Sequence, residues 1–296
     1  MKILLTGGNG QVGWELQRSL ACLGEVLAPG REALDMRQPE QLRAAVLALK
    51  PHWIVNAAAY TAVDRAETER DLAYAVNSEA PRVLAEAAAE CGAALIHYST
   101  DYVFDGSGNT PFGEDAPVKP LNVYGASKAA GEAAIRALHD RHLIFRTSWV
   151  YGRRGRNFLL TMQRLLRERP ELKIVADQMG APTWARPIAE ATALTIAQID
   201  SPARGADRPA PWGTYHLSNG GATSWFGFAE AIRAAMIEQG AAANALAKLT
   251  PIPSSEYPTP APRPLNSRLT NAKLGQVFGL QLRDWRVALG QALGGE

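Results

Sequence analysis

The segment that most limits what this chain can become is its opening strand and the glycines behind it. Lys2-Ile3-Leu4-Leu5-Thr6 is a short apolar run that ends on Gly7-Gly8-Asn9-Gly10-Gln11-Val12-Gly13, after which Trp14, Leu16, Leu20 and Leu23 recur at roughly helical spacing. A strand that breaks on Gly7-x-x-Gly10-x-x-Gly13 and continues as a helix begins a β-α-β unit. Glycine lets the chain turn sharply and lets backbone amides approach a pyrophosphate seated on the helix N-terminus. The first gap is one residue longer than in GxGxxG, and the GK[ST] of a mononucleotide loop is missing. Gly7, Gly10, Gln11, Val12 and Gly13 are thus candidate dinucleotide-binding residues.

The next strand, Glu25 to Ala28, ends on Pro29-Gly30-Arg31, where an NAD enzyme usually has an acid for the ribose 2′-hydroxyl. Arg31 suits a forked pairing with a 2′-phosphate, which favours NADPH; a solvated loop arginine is the plain alternative. Asp35-Met36 reads as the close of a short apolar strand, with Asp35 able to accept from an adenine amino group. Gln38 to Lys50 reads as an amphipathic helix. Trp53 to Thr61 reads as a core strand ending in small residues, so that Ala58, Ala59, Tyr60 and Thr61 let a cofactor lie against backbone. Asp64, Arg65, Glu67, Glu69 and Arg70 read as mostly solvated surface. A helix from Asn77 to Cys91 leads to a buried strand, Ala93 to Ser99.

Strand and helix alternate at least four times in about the first 150 residues, the mark of an α/β, doubly wound (Rossmann-type) parallel sheet. We expect the cofactor-binding domain over 1–150, with later returns at roughly 158–176 and 187–218. A smaller, sequence-interleaved C-terminal substrate domain spans 150–296, mainly 176–187 and 219–296.

The chemistry is expected at His97 to Lys128. Thr100 lies just past a strand's carboxyl end, and Tyr124 to Leu138 is an Ala-rich stretch of helical period. Residues four apart share a helix face, so the Tyr124 phenol and the Lys128 ammonium can serve one space. A cation nearby favours the tyrosinate and makes the phenol a better proton donor to a developing alkoxide, while Thr100 offers a hydroxyl to the same oxygen. A surface Tyr beside a solvated Lys is the plain alternative for YxxxK alone.

Composition excludes several other classes. A net charge of +2 without an arginine-rich run gives no reason to expect nucleic acid. No run approaches the roughly 18 apolar residues of a membrane span, and the N-terminal apolar run is too short for a signal peptide, so a cytoplasmic protein is expected. The two cysteines, Cys22 and Cys91, match no metal or redox spacing and read as buried, inert thiols.

Taken together, these segments resemble the extended short-chain dehydrogenase/reductases and, more closely, the dTDP-4-dehydrorhamnose reductase family, nearly end to end. The resemblance is carried by Gly10-Gln11-Val12-Gly13-Trp14-Glu15-Leu16, Val55 to Asp64, His97 to Phe104, Asn122-Val123-Tyr124-Gly125 and Phe145 to Tyr151. It continues through Asp177-Gln178, Gly180-Ala181-Pro182-Thr183, Tyr257 to Ala261 and Arg263-Pro264-Leu265-Asn266-Ser267. It implies reduction of the C4 ketone of a dTDP-sugar by NADPH, with NADH as a tolerated alternative. Tyr124 would be the proton donor, Lys128 would hold the nicotinamide ribose and lower the Tyr124 pKa, and Thr100 would bind the ketone oxygen. Asp101 and Trp149 would contact the sugar, and Arg263 and Asn266 would help close over the diphosphate; for Arg263 a loop-anchoring role is equally open. Related dehydratases follow the threonine with Asp-Glu, whereas Tyr102 stands here, which favours net reduction. Two other readings stay open: a different sugar-nucleotide reductase or epimerase, and an NADP-binding regulatory subunit without catalysis. A homodimer is compatible with the family. Some members bridge two subunits through Mg2+ held by glutamates, one in the first helix. Glu15 is present, but Arg186 stands where a second glutamate is expected and arginine does not ligate a cation, so no metal is expected.

The remainder is read by pattern: helices over Phe158 to Arg167, Pro187 to Ile199 and Ser224 to Gln239, and strands over Leu143 to Ser148, Leu172 to Val175 and Thr214 to Ser218. Gly180 to Thr183 reads as a turn and Ser201 to Pro211 as a surface loop. The proline-rich Pro251 to Pro264 reads as extended chain over the surface, and Asn271 to Phe278 and Asp284 to Leu293 as closing helices.

Overall fold

In the computed structural model, which describes residues 1–202 and 211–294, the opening strand is the pivot of the sheet. The first half runs β1 (Lys2–Thr6), α1 (Gln11–Ser19), β2 (Glu25–Leu27), α2 (Pro39–Leu49), β3 (Trp53–Asn56), α3 (Val63–Ala66), α4 (Arg70–Tyr74), α5 (Ala80–Cys91), β4 (Ala94–Thr100), α6 (Val123–Leu138) and β5 (His142–Thr147). The second half runs β6 (Val150–Tyr151), α7 (Phe158–Glu168), β7 (Glu171–Val175), β8 (Met179–Gly180), β9 (Thr183–Trp184), α8 (Ala185–Ile199), β10 (Gly213–His216), β11 (Thr223–Ser224), α9 (Trp225–Glu238), β12 (Lys248–Ile252), α10 (Ala272–Phe278) and α11 (Trp285–Ala292).

Six strands form one parallel sheet in the order β10-β5-β4-β3-β1-β2. β1 lies between β2 and β3, so the two connections leaving this point run to opposite sides and open a crevice beyond the strands' carboxyl ends. Both faces are covered, which is why the strands read as continuous apolar runs. Ile3, Leu5, Val55, Ile96 and Phe145 pack with Leu16, Ile188 and Ile196 on one face. Leu4, Ile54, Leu95 and Ile144 pack with Leu42, Val46 and Leu84 on the other.

A third apolar core is built entirely from residues after Val150, uniting Tyr151, Leu159, Met162 and Leu166 with Phe228, Ile232 and Trp285. This corrects one boundary. Residues 158–176 do not return to the large sheet, because α7 lays Leu159, Met162 and Leu166 on α9 and β7 pairs in parallel with β12. By contrast α8 packs on α1, and β10 completes the sheet beside β5.

Several local expectations are also corrected. Asp35-Met36 closes no strand; residues 31–37 form turns held by Ala33 and Leu34 amides on the Gly30 carbonyl and by the Gln38 amide on Asp35. β3 stops at Asn56, leaving Ala57 to Ala62 as loop, and the helix expected from Asn77 follows a π-helical segment (Ala75–Glu79) continuous with α4. Residues 180–183 join two short strands: β8 pairs with β11, and β9 pairs with β6. Pro187 lies inside the first turn of α8, where its missing N–H has no intrahelical partner to lose. Pro251 sits within β12, an edge position that tolerates its lost donor. Cys22 is exposed rather than buried. The loop expected at Ser201 to Pro211 falls largely at 203–210, outside the described residues. Among the described residues no helix is long and apolar enough to cross a membrane.

The glycine turn is close-packed. A Cβ on Gly13 would lie 2.0 Å from the Gly7 carbonyl oxygen, so α1 can approach β1 only with hydrogen at this position. Gly13→Ala is therefore expected to push α1 away, destabilising the protein by about 1–3 kcal/mol and abolishing dinucleotide binding. Urea midpoints and titration calorimetry check both; unchanged binding would remove the turn from the site.

Candidate active site

The crevice at the β1/β3 switch is lined by the strand ends and the loops leaving them. Gly7, Gly8 and Gly10 form its floor, with Gly10 donating its amide to the Gly7 carbonyl at 2.9 Å. Ala58, Ala59 and Tyr60 form one wall, and Arg31, Asp35 and Met36 the other. Thr61 is not part of the lining. Gln11 and Val12 also stand back from it: Gln11 accepts from the Asn157 amide at 2.8 Å, and Val12 packs on the core.

Arg37, which pattern reading missed, lines the same wall. Asp35 accepts from the Arg37 side chain, with Nε–Oδ2 at 2.9 Å, and lies 3.8 Å from Arg31 Nε. Those hydrogen bonds pull the Asp35 carboxyl down to about 2. The carboxylate therefore organises two guanidiniums in the lining of the crevice. The i, i+2 spacing of Asp35 and Arg37 was the available signal. Tyr60 is tied back by Glu69, itself paired with Arg65, so part of the cluster expected to be solvated shapes the wall.

At the carboxyl end of β4, Thr100 caps a short turn by accepting from the Tyr102 amide at 3.2 Å and donates to Asp101 Oδ1 at 3.0 Å. Asn122 caps α6 by accepting from the Gly125 amide at 2.8 Å. Gly125 must be glycine for a packing reason, because a Cβ there would lie 2.1 Å from the Tyr102 carbonyl oxygen. That close approach sets Tyr124 against the Thr100 turn, its ring edge-on to Tyr102 at 5.5 Å.

Electrostatics here differ from the simple Tyr/Lys expectation. Burial pushes the Tyr124 phenol up to about 12, with Thr100 opposing, and burial brings Lys128 down to about 7, with Glu132 opposing. The Lys128 Nζ meets the Tyr98 carbonyl at 2.6 Å and His97 Nε2 at 3.0 Å. Desolvation thus outweighs any mutual attraction between the two groups in this state. Asp101 is buried too, and that burial raises its carboxyl to about 6 against hydrogen bonds from Ser267 and Thr100.

Trp149 has a left-handed backbone, φ +49°, a costly conformation for a bulky residue that packing must hold in place. It stacks on Trp225 at 3.6 Å between centroids, and Trp225 donates its indole N–H to Gln178 at 3.2 Å. Trp225 had no sequence signal beyond its residue type. Arg263 donates to Asp64 at 2.9 Å and to the Ala261 carbonyl at 2.8 Å, anchoring the proline-rich segment to α3. Asn266 is 2% exposed and directs its amide to the Thr110 carbonyl at 2.8 Å while accepting from Arg268, so it fastens loops together. Arg186 pairs with Glu15 at 3.3 Å and occupies that carboxylate.

A doubly wound parallel sheet carrying a glycine turn at its switch point, with Thr100, Tyr124 and Lys128 at the neighbouring strand end, defines an extended short-chain dehydrogenase/reductase, an NAD(P)H-dependent oxidoreductase. Residues 1–295 match the family model described as the RmlD substrate binding domain, and the chain belongs to that family. It is 52% identical over 292 residues to the dTDP-4-dehydrorhamnose reductase of Burkholderia thailandensis, covering 98% of this chain and 97% of that protein. It is 46% identical over 300 residues to the enzyme of the same name from Escherichia coli K12, covering 99% and 97%. The structure of dTDP-4-dehydrorhamnose reductase from Bacillus anthracis, solved in complex with NADP, superposes with a TM-score of 0.88 at 37% identity, covering 98% of this chain and 97% of that one.

Proposed function

We propose that this protein reduces the C4 ketone of dTDP-4-dehydro-L-rhamnose to dTDP-L-rhamnose with NADPH, in the cytoplasm, in the supply of rhamnose for cell-surface polysaccharide. The observation that carries the reading is Tyr124, at the start of α6, packed on the turn that follows Thr100 at the carboxyl end of β4, in a chain related to the named reductases along nearly its whole length. The crevice fits the cofactor: close-packed glycines at a helix start suit a pyrophosphate, and Arg31 and Arg37 suit a 2′-phosphate. NADPH, when bound, supplies the hydride.

The residues of the chain do the rest. Thr100 and Tyr124 hold the ketone oxygen, and Tyr124, kept protonated at neutral pH by burial, gives up its proton as charge develops there. Lys128 holds the nicotinamide ribose and stabilises the resulting tyrosinate. Asp101 accepts from a sugar hydroxyl, and Trp149, backed by Trp225, covers the sugar face. The third core, after Val150, is the scaffold of a substrate lobe, and the large sheet with α8 and β10 that of a cofactor domain. Retention of Thr100, Tyr124 and Lys128 together favours catalysis over a regulatory binding role.

The direct test is loss of NADPH absorbance with dTDP-4-dehydro-L-rhamnose and recovery of dTDP-L-rhamnose; no turnover with that sugar would overturn the reading. Arg31→Ala and Arg37→Ala are each expected to weaken NADPH roughly 10- to 100-fold, as loss of a charged hydrogen bond does, and NADH far less. Equal losses for the two cofactors, measured by fluorescence titration, would remove the phosphate role.

A further inference from the structure

Thr6, Asn56 and His97 stand opposite one another on three adjacent parallel strands, Thr6 beside Asn56 and Asn56 beside His97. Side chains in register leave the same face of a sheet. All three are buried, at 2%, 0% and 0% exposure, where apolar residues would be expected. They form a row of hydrogen bonds. The Thr6 hydroxyl donates to Asn56 Oδ1 at 2.6 Å, Asn56 Nδ2 meets His97 Nδ1 at 3.0 Å, and His97 Nε2 meets Lys128 Nζ at 3.0 Å.

The direction of donation along this row is fixed at its far end. The backbone N–H of Ala58 donates to Asn56 Oδ1 at 3.2 Å. Turning the Asn56 amide over would set its NH2 against that N–H, so Nδ2 faces His97 and the His97 Nδ1 must accept. A neutral imidazole that accepts at Nδ1 carries its proton on Nε2. Nε2 is the atom facing Lys128, and an ammonium has no lone pair with which to receive it.

We propose that the Thr6-Asn56-His97 row holds Lys128 as a neutral amine in the cofactor-free protein, making His97 a positioning residue for the proton balance of the site. The inference rests on Lys128 being the partner of Tyr124. The Lys128 lone pair accepts from His97 Nε2–H, and one of its two N–H bonds goes to the Tyr98 carbonyl. Charging the lysine then means moving the imidazole proton from Nε2 to Nδ1 and turning the Asn56 amide, which breaks the contact to Ala58. The Ala58 nitrogen lies 2.5 Å from where a Gly7 Cβ would stand, so this peptide is packed on the cofactor turn. Lys128's charge is thereby coupled to the loop that lines the crevice.

The surroundings agree. Burial holds His97 well below its ordinary range, which keeps the ring neutral. The groups facing Lys128 are His97 and the Tyr98 carbonyl from β4, with Tyr124 and Glu132 a turn away on α6. Glu132 favours the ammonium, but its carboxylate is engaged by Arg146.

The test is the 15N spectrum of the histidine rings in the whole, cofactor-free protein, with the His97 signals assigned by their loss in His97→Gln. Expected is a ring protonated at Nε2 and bare at Nδ1 across about pH 6 to 8, the range where histidine normally titrates. A proton on Nδ1, or a charged ring, would overturn the proposal. In His97→Gln a carbonyl oxygen can turn to Lys128, and the Lys128 titration, read at 13Cε, is expected to rise by about one unit or more. An unmoved titration would count against it equally. Neither readout needs turnover: an inactive protein with Nε2–H would sink the reductase reading alone, and an active one with Nδ1–H would sink this inference alone.

Discussion

Tyr124→Phe is expected to lower kcat for the keto-sugar by roughly 10²- to 10⁴-fold, the range a positioned general acid contributes, with NADPH affinity little changed. The ring packs edge-on against Tyr102, and phenylalanine keeps that contact while removing only the hydroxyl group. The loss should therefore fall on kcat, because the hydroxyl matters most where charge builds on the substrate oxygen. Burial raises the Tyr124 pKa to about 12, so the proton-bearing form needed for reduction is fully present at neutral pH. Stopped-flow oxidation of NADPH separates the two effects. Turnover equal to the parent's would take Tyr124 out of the mechanism.

The largest stability effect is expected at a pair that touches no ligand. Arg146 on β5 makes a forked contact with Glu132 on α6, at 2.9 and 2.7 Å, with the two side chains 3% and 0% exposed. Arg146 also donates to the Glu114 carbonyl at 3.1 Å and lies over the Phe104 ring at 5.1 Å. Removing Arg146 leaves the buried Glu132 carboxylate with only the more exposed Arg136, at 3.0 Å, as a cationic partner, so Arg146→Ala is expected to cost about 3 kcal/mol, the low end for a broken buried pair. A urea midpoint with unchanged slope checks this, and a loss under about 1 kcal/mol, the worth of a surface pair, would refute it. Because α6 also carries Tyr124 and Lys128, the same variant should lose activity through misplacement of the helix.

This pair also carries a pH dependence of defined sign. Burial pushes the Glu132 carboxyl up, but the hydrogen bonds and charge of Arg146 bring its net value below the ordinary one. A depressed folded value means the stabilisation is present above the unfolded glutamate value of about 4.3 and is lost as pH falls through the folded one. Wild type should thus lose stability on acidification below that point more steeply than Glu132→Gln.

Much of the fold is written locally. The apolar runs at Lys2–Thr6, Trp53–Asn56 and Ala94–Thr100, broken by glycine, small residues and helical repeats, specify parallel strands covered on both faces, because only such strands lack a polar side. The short strands at 179–184 were not legible, since two-residue strands have no period; they exist because distant partners at Val150–Tyr151 and Thr223–Ser224 meet them. The placing of α7 was not legible either, because an amphipathic helix states that it has an apolar face but not what covers it.

The same division runs through the site. Residue type and spacing alone determined the glycine turn, the Tyr124/Lys128 helix face and the arginine in place of an acid after β2, since each is a short-range stereochemical requirement. Tertiary structure decided what those groups experience. It brought Arg37 to the wall beside Arg31, stacked Trp225 on Trp149, gave Arg263 to Asp64, and set Asn56 and His97 in register beneath Lys128. Charge states depend on burial and on partners tens of residues away, and those distances close only when the sheet does.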